Sequence, residues 1–202
     1  MGTHTLGTRT YGTRIRVPNN HLPFLQGGIM PYIQERKRNR LLHFDYSRPG
    51  IYFITMCTYR RKGFFGCIEN SRMVLSRSGE IAEECWKEIP RHISGVRLDE
   101  FAIMPNHIHG IIIIEKKVSN NFFPGEESYD PTKMLIPIIV QQFKSAVTRK
   151  IRFTLGDFSF GWQRSFYDHI VRNERAFFNI RKYIAENPVR WELDIQNRAM
   201  GK

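Results

Sequence analysis

The 202-residue chain carries 31 Lys and Arg against 19 Asp and Glu, a formal charge of +12, and an excess of that size points to a polyanionic partner, nucleic acid or an anionic membrane surface. Its length suits one domain with an appendage and a core of its own. No apolar run approaches a membrane span and the N-terminus lacks a secretory apolar region, so no membrane role is expected. The three cysteines, Cys57, Cys67 and Cys85, are odd in number and lack Cys-x-x-Cys spacing, which excludes a zinc finger and suits a reducing cytoplasm. Nucleic acid is the favoured partner.

Residues 1–30 repeat a Gly-Thr pair at Gly2, Gly7 and Gly12 and hold no Asp or Glu. They are too poor in patterned apolar surface to offset ordering entropy and read as a disordered tail. The same repeat fits non-coding sequence read in frame, with the biological start at Met30. Residues 31–50 form a basic extension: Arg36, Lys37, Arg38, Arg40 and Arg48 lie among Tyr32, Phe44 and Tyr46. Charge runs are usually solvated faces, but this mixture also suits phosphate contact and base stacking.

Ile51–Thr58 reads as a strand after the Pro49-Gly50 turn. A basic loop follows, Tyr59-Arg60-Arg61-Lys62-Gly63, and Met73–Leu75 reads as a short edge strand. Ser78 is placed to cap a helix whose stripe is Ile81, Ala82, Cys85, Trp86 and Ile89, with Pro90 ending it. Val96–Met104 and the run from His107 to Ile114 form a hairpin around Pro105-Asn106. Residues 116–132 read as an exposed polar loop. A helix over 134–151 follows, with Pro137 in its first turn and Lys144 on a basic edge. Phe166–Val171 is a strand, and a helix from the N-cap Asn173 to Asn187 is stopped by Pro188. Strand, helix, strand, strand, helix, strand is the split βαβ order. It predicts an α+β, ferredoxin-like domain over 51–191, an antiparallel sheet with helices on one face, and then a tyrosine-bearing helix and a tail over 192–202.

His107 and His109 alternate with Ile108, so a strand presents both imidazoles on one face. The pair reads either as hydrogen-bonded structural histidines or as half of a metal site. Tyr183 and Asn187 are four residues apart, one turn along a helix. Separately, each has an ordinary reading, a half-buried aromatic and a helix-end residue before proline. Together the four make chemical sense. A metal on His107, His109 and the Asn187 amide would polarise a phosphodiester, and Tyr183 would be the nucleophile. Arg181 and Lys182 point elsewhere on the helix and are assigned to phosphate contact. Trp162, Gln163 and Arg164 suit a single strand, an aromatic platform beside a cation. His169 is either a strand histidine or a support for DNA or the metal shell.

These residues carry a resemblance. His107-Ile108-His109, the preceding Met104-Pro105-Asn106, the stretch Trp162–Ile170 and Tyr183-Ile-x-x-Asn187-Pro188-Val189 resemble the single-tyrosine HUH transposases, most of all their REP-associated branch. The likeness spans roughly residues 40–191. It implies a substrate of single-stranded DNA, often beside an imperfect hairpin, and a covalent 5′-phosphotyrosine on Tyr183. The implied metal is Mg²⁺ or Mn²⁺; two imidazoles and an amide suit Mn²⁺ better. Insertion-sequence relatives commonly carry Gln where Asn187 stands, and the implied state is monomer or homodimer. DNA contacts are assigned to Arg36, Arg38, Arg60, Arg61, Lys144, Trp162, Gln163, Arg164, His169, Arg181 and Lys182. The alternative is a DNA-hairpin-binding protein with weak or lost catalysis. A metal-dependent hydrolase barrel, which also begins with His-x-His on a strand, needs about 250 residues and eight strand–helix units.

Overall fold

A computed structural model describes residues 44–116 and 134–199, with side chains to residue 193. The expectations for residues 1–43, Arg36, Arg38 and Met30 among them, and for the polar loop after Lys116, lie outside the described residues. The elements are β1 (Gly50–Cys57), β2 (Gly66–Glu69), β3 (Arg72–Leu75), α1 (Arg77–His92), β4 (Val96–Met104), β5 (His107–Ile114), α2 (Leu135–Leu155), β6 (Tyr167–Val171), α3 (Glu174–Ala185) and α4 (Asn187–Ala199). The sheet order is β4-β5-β1-β6 with every neighbouring pair antiparallel. With α1 after the first of these strands and α2 after the third, this is the expected α+β, split βαβ arrangement.

Three local expectations change. Met73–Leu75 is a short strand as expected, but its partner, β2, with which it forms a separate two-stranded ribbon, is not among the expected strands. Pro90 lies inside α1, which continues to His92 and is capped by Ser76, whose hydroxyl accepts from Gly79 N, rather than by Ser78. A proline this near the C-terminus removes one backbone bond, and Ile93 N still reaches Ile89 O. Pro188 does not simply stop the last helix. It is the second residue of α4, where its fixed φ suits a helix start.

The two helices of the split βαβ unit, α1 and α2, share one face of the sheet as expected, and the extra tyrosine-bearing helix α3 covers the other. Tyr52, Ile54 and Met56 of β1 and Ile108, Ile112 and Ile114 of β5 join Trp86 of α1 and Phe143 of α2 in the larger core. The odd-numbered residues of β5 point the other way. Ile111 and Ile113, with Phe53 and Val171, meet Ile184 of α3, and Ala176, Phe177, Ile180 and Tyr183 pack against them. All eight residues of β5 are therefore buried, which is why its sequence is a continuous apolar run rather than an alternation. Gly110 permits the close packing of α1. A Cβ there would come within 2.2 Å of Trp86 Cζ2.

Candidate active site

The site grows from the end of the β4–β5 hairpin. Residues paired across an antiparallel sheet share a face, so Ala102, His109, Thr55 and Tyr167 form one row, and Met104, His107 and Cys57 the next. The two imidazoles lie with ring centroids 4.4 Å apart and planes at 75°. They are 7% and 6% exposed. Phe53 stacks on His109 at 5.4 Å, and Trp191 of α4 sits 5.6 Å from His107.

Neighbouring groups fix both rings. Asn106 Nδ2 donates to Arg61 O at 3.1 Å, which orients the amide so that its Oδ1 faces His107 Nδ1 at 2.8 Å. An amide oxygen only accepts, so His107 carries its proton on Nδ1 and keeps the Nε2 lone pair free. His109 Nδ1 lies 2.8 Å from Thr55 Oγ1. With Nδ1–H donating to Thr55, its Nε2 also remains an acceptor, and the Tyr183 hydroxyl lies 3.5 Å from it. Burial, and to a lesser degree the Arg61 charge, push the pKa of His107 down to about 3. His109 is held well below the usual histidine range by burial, by His107 and by Arg61. Both rings are neutral at pH 7.

Two neutral imidazoles, each with Nδ1 occupied by a neighbour and Nε2 left as an acceptor, the one on His109 facing the Tyr183 hydroxyl, fit a divalent cation with imidazole affinity. No cluster of three or more His, Cys, Asp or Glu side chains suited to a metal occurs among the described residues. The third donor expected from the sequence is the amide of Asn187. Asn187 is 6% exposed, at the junction where Glu186 caps α3 and α4 begins. The single helix expected to carry Tyr183 and Asn187 is thus two helices that meet between them.

Tyr183 is half-buried, edge-on to His109 at 5.3 Å and to Phe53 at 6.2 Å. The Arg190 guanidinium lies 6.0 Å over its ring and pairs with Glu186 at 2.8 Å. Arg60 and Arg61 are exposed on a 3₁₀ turn over Tyr59–Arg61 and adopt positive φ, 52° and 54°. Two non-glycine residues in that region store strain. Thr58 Oγ1, 2.7 Å from Lys62 O and 2.9 Å from Asn106 O, ties the turn to the histidine hairpin.

The other predicted contacts divide. Lys144 Nζ donates to Gln163 O and Ser165 O, and Trp162 Nε1 donates to Lys144 O. Trp162 packs on Phe65 and Phe160, so Lys144 and Trp162 build the loop as much as they present it. Gln163 N donates to Cys57 O, while Arg164 is exposed. His169 is exposed on β6, paired with Phe53. It shares the face of the histidine pair but belongs to a different row. Arg181 pairs with Asp99 at 2.9 Å, and Lys182 with Glu186 at 3.7 Å. Sequence reasoning missed Thr55, Phe53, Arg190 and Trp191. The first two depend on strand register, and the last two on the path of the chain beyond Pro188.

No protein-family model matches the chain. An uncharacterized protein of Haemophilus influenzae is 40% identical over 168 residues, covering 80% of this chain and 93% of that protein. Among solved structures, a REP-associated tyrosine transposase bound to a REP hairpin aligns with a TM-score of 0.47 at 17% identity, over 71% of this chain and 68% of the other. A Deinococcus radiodurans protein provisionally described as a transposase aligns with a TM-score of 0.41 at 15% identity, over 74% of this chain and 95% of the other.

Proposed function

The chain belongs to the same family as the Haemophilus influenzae protein, and we propose that it is a transposase-type enzyme that cleaves and rejoins single-stranded DNA beside a hairpin. One observation carries the reading: a tyrosine hydroxyl 3.5 Å from the Nε2 of one member of a buried, neutral histidine pair. His107 and His109 would hold a divalent metal, Mg²⁺ or Mn²⁺, through Nε2, with the Asn187 amide as third donor. When bound, that ion supplies Lewis-acid withdrawal of charge from the scissile phosphate.

The chain's own residues do the rest. Tyr183 Oη attacks phosphorus, and a Tyr183 O–P bond forms as the P–O3′ bond breaks. The phenolic proton leaves to solvent at this half-buried site, and the departing 3′-oxygen takes one up. A 5′-phosphotyrosine and a free 3′-hydroxyl result, and attack by a 3′-hydroxyl reverses the step without ATP. A phenol has a pKa near 10 and needs help to ionise. Arg190, over the ring, favours developing phenolate charge. Phe53 and Trp191 shield the imidazoles from water, and the exposed Arg61 would meet phosphate.

The test is adduct formation. A labelled hairpin-flanked single strand incubated with Mn²⁺ or Mg²⁺ should give a covalent protein–DNA species on a denaturing gel, lost in Tyr183→Phe and on chelation of the metal. An adduct that persists in Tyr183→Phe removes Tyr183 as nucleophile. Binding of the hairpin with no adduct under either metal identifies a binding protein instead.

A further inference from the structure

Phe153 and Phe158 are 85% and 75% exposed, and both line one open groove of about 670 Å³. One exposed apolar side chain needs no explanation, but two that line the same groove beside cations invite a contact. The last two turns of α2 present Arg149, Arg152 and Phe153 along one side. At Gly156 the backbone takes the left-handed conformation, φ 65°, and the chain turns back. Asp157 does not face the groove as a free charge, because its carboxylate accepts from Ser159 N and Oγ. The return segment, carrying Phe158, Trp162 and Arg164, is fixed to α2 by the Lys144 and Trp162 hydrogen bonds described above. The lining holds cations and aromatics and no carboxylate. Its wall is also tied to the catalytic end of the sheet. Thr58 bridges to Trp162 and Gln163 N reaches Cys57 O, while Cys57 pairs with His107.

We propose that this groove binds the unpaired stretch of a DNA strand, with bases stacked on Phe153 and Phe158 and phosphates on Arg149, Arg152 and Arg164. That the strand is DNA rests on the function proposed above. An unpaired strand offers apolar base faces beside one anionic phosphate per nucleotide, the complement of aromatics interleaved with guanidinium groups. A duplex keeps its bases stacked on one another and offers the arginines only its backbone. An acidic protein surface would use the cations and leave the phenylalanines in water.

The experiment is fluorescence anisotropy of the full chain with a labelled 15-nucleotide single strand and with the same sequence as a duplex. In the double variant Phe153→Ala/Phe158→Ala, single-strand affinity should fall about tenfold or more, with duplex affinity within twofold of the parent. Phe153→Leu/Phe158→Leu keeps apolar volume and should lose single-strand affinity as well, which guards against a folding artefact. Equal losses for single strand and duplex, unchanged single-strand affinity, or a parent protein that binds no single strand at low salt would each overturn the proposal. The adduct assay separates it from the function proposed above. Phe-dependent single-strand binding without any adduct leaves the groove standing and removes the nuclease. An adduct whose substrate affinity ignores the phenylalanines does the reverse.

Discussion

Asn106 does two things with one amide: it holds the strained Arg61 carbonyl and it fixes the tautomer of His107. Removing such an outer partner typically costs tenfold to a hundredfold in metal affinity or activity. Asn106→Ala should therefore weaken Mn²⁺ binding by roughly 10–100-fold in calorimetric titration; an unchanged affinity would show that Asn106 does not support a metal ligand. The buried imidazoles also make stability pH-dependent. In the unfolded chain they titrate near 6.5; in the folded chain burial holds His107 down to about 3 and His109 well below the usual range. Below pH 6.5 the unfolded state therefore binds more protons than the folded one. Their contribution is complete above that pH and declines as pH falls toward about 3, by on the order of 1.4 kcal/mol per pH unit for each ring. Urea unfolding in chelator-containing buffer should show a clear fall in midpoint between pH 7 and pH 5. The slope in this window should shrink in His107→Gln. A midpoint that stays flat there would mean that the rings are solvated.

At the scale of elements, β5 is packed from both sides, and Gly110 is where the tolerance is least. A methyl group at 2.2 Å from the Trp86 ring must displace α1 or the strand itself, the kind of overpacking that costs about 1–3 kcal/mol. Gly110→Ala should lower the unfolding free energy by that amount, read as a lower urea midpoint with the slope of the transition unchanged. The adjacent His109 would be disturbed too, so adduct yield should drop further than stability alone explains. Much of this layer was legible in the sequence, because His107 and His109 flank Ile108 in a strand and period 2 settles which face each takes. The N-cap Asn173 was legible for the same reason: its side chain accepts from Ala176 N, as a local rule requires. What escaped was non-local. Thr55 and Phe53 reach His109 only through the β1–β5 register, and α3 covers the face opposite α1 and α2 because that second apolar face of β5 needs a partner. Pro188 misled because a proline both ends and begins helices, and the choice rests on α4, which brings Trp191 to His107 and Arg190 to Tyr183.

Across the whole molecule, a formal charge of +12 attracts any polyanion, and the question is which cations act locally. Many are already paired: Arg77 with Glu80, Lys87 with Glu83, Lys150 with Glu88, Arg181 with Asp99 and Arg190 with Glu186. A paired cation releases few DNA counterions, because its own carboxylate must first be given up. Arg149 and Arg152 stand instead beside Arg164 in a groove without carboxylates. Each phosphate neutralised on a single strand contributes about 0.7 to the slope of log affinity against log salt concentration. Arg149→Ala/Arg152→Ala should therefore flatten that slope by roughly 1.4 for a single strand, measured by anisotropy from 50 to 300 mM NaCl (about a sixfold range). Arg77→Ala, which removes an ion-paired arginine on α1, should leave the slope nearly unchanged, and so should Tyr183→Phe, which removes no charge. Equal flattening by the Arg77 and the Arg149/Arg152 variants, per charge removed, would mean that DNA sees only a diffuse positive field. A selective effect of the groove arginines means that the fold has concentrated a global excess of charge on a strand path whose Gln163 is hydrogen-bonded to Cys57, the β1 residue paired with His107.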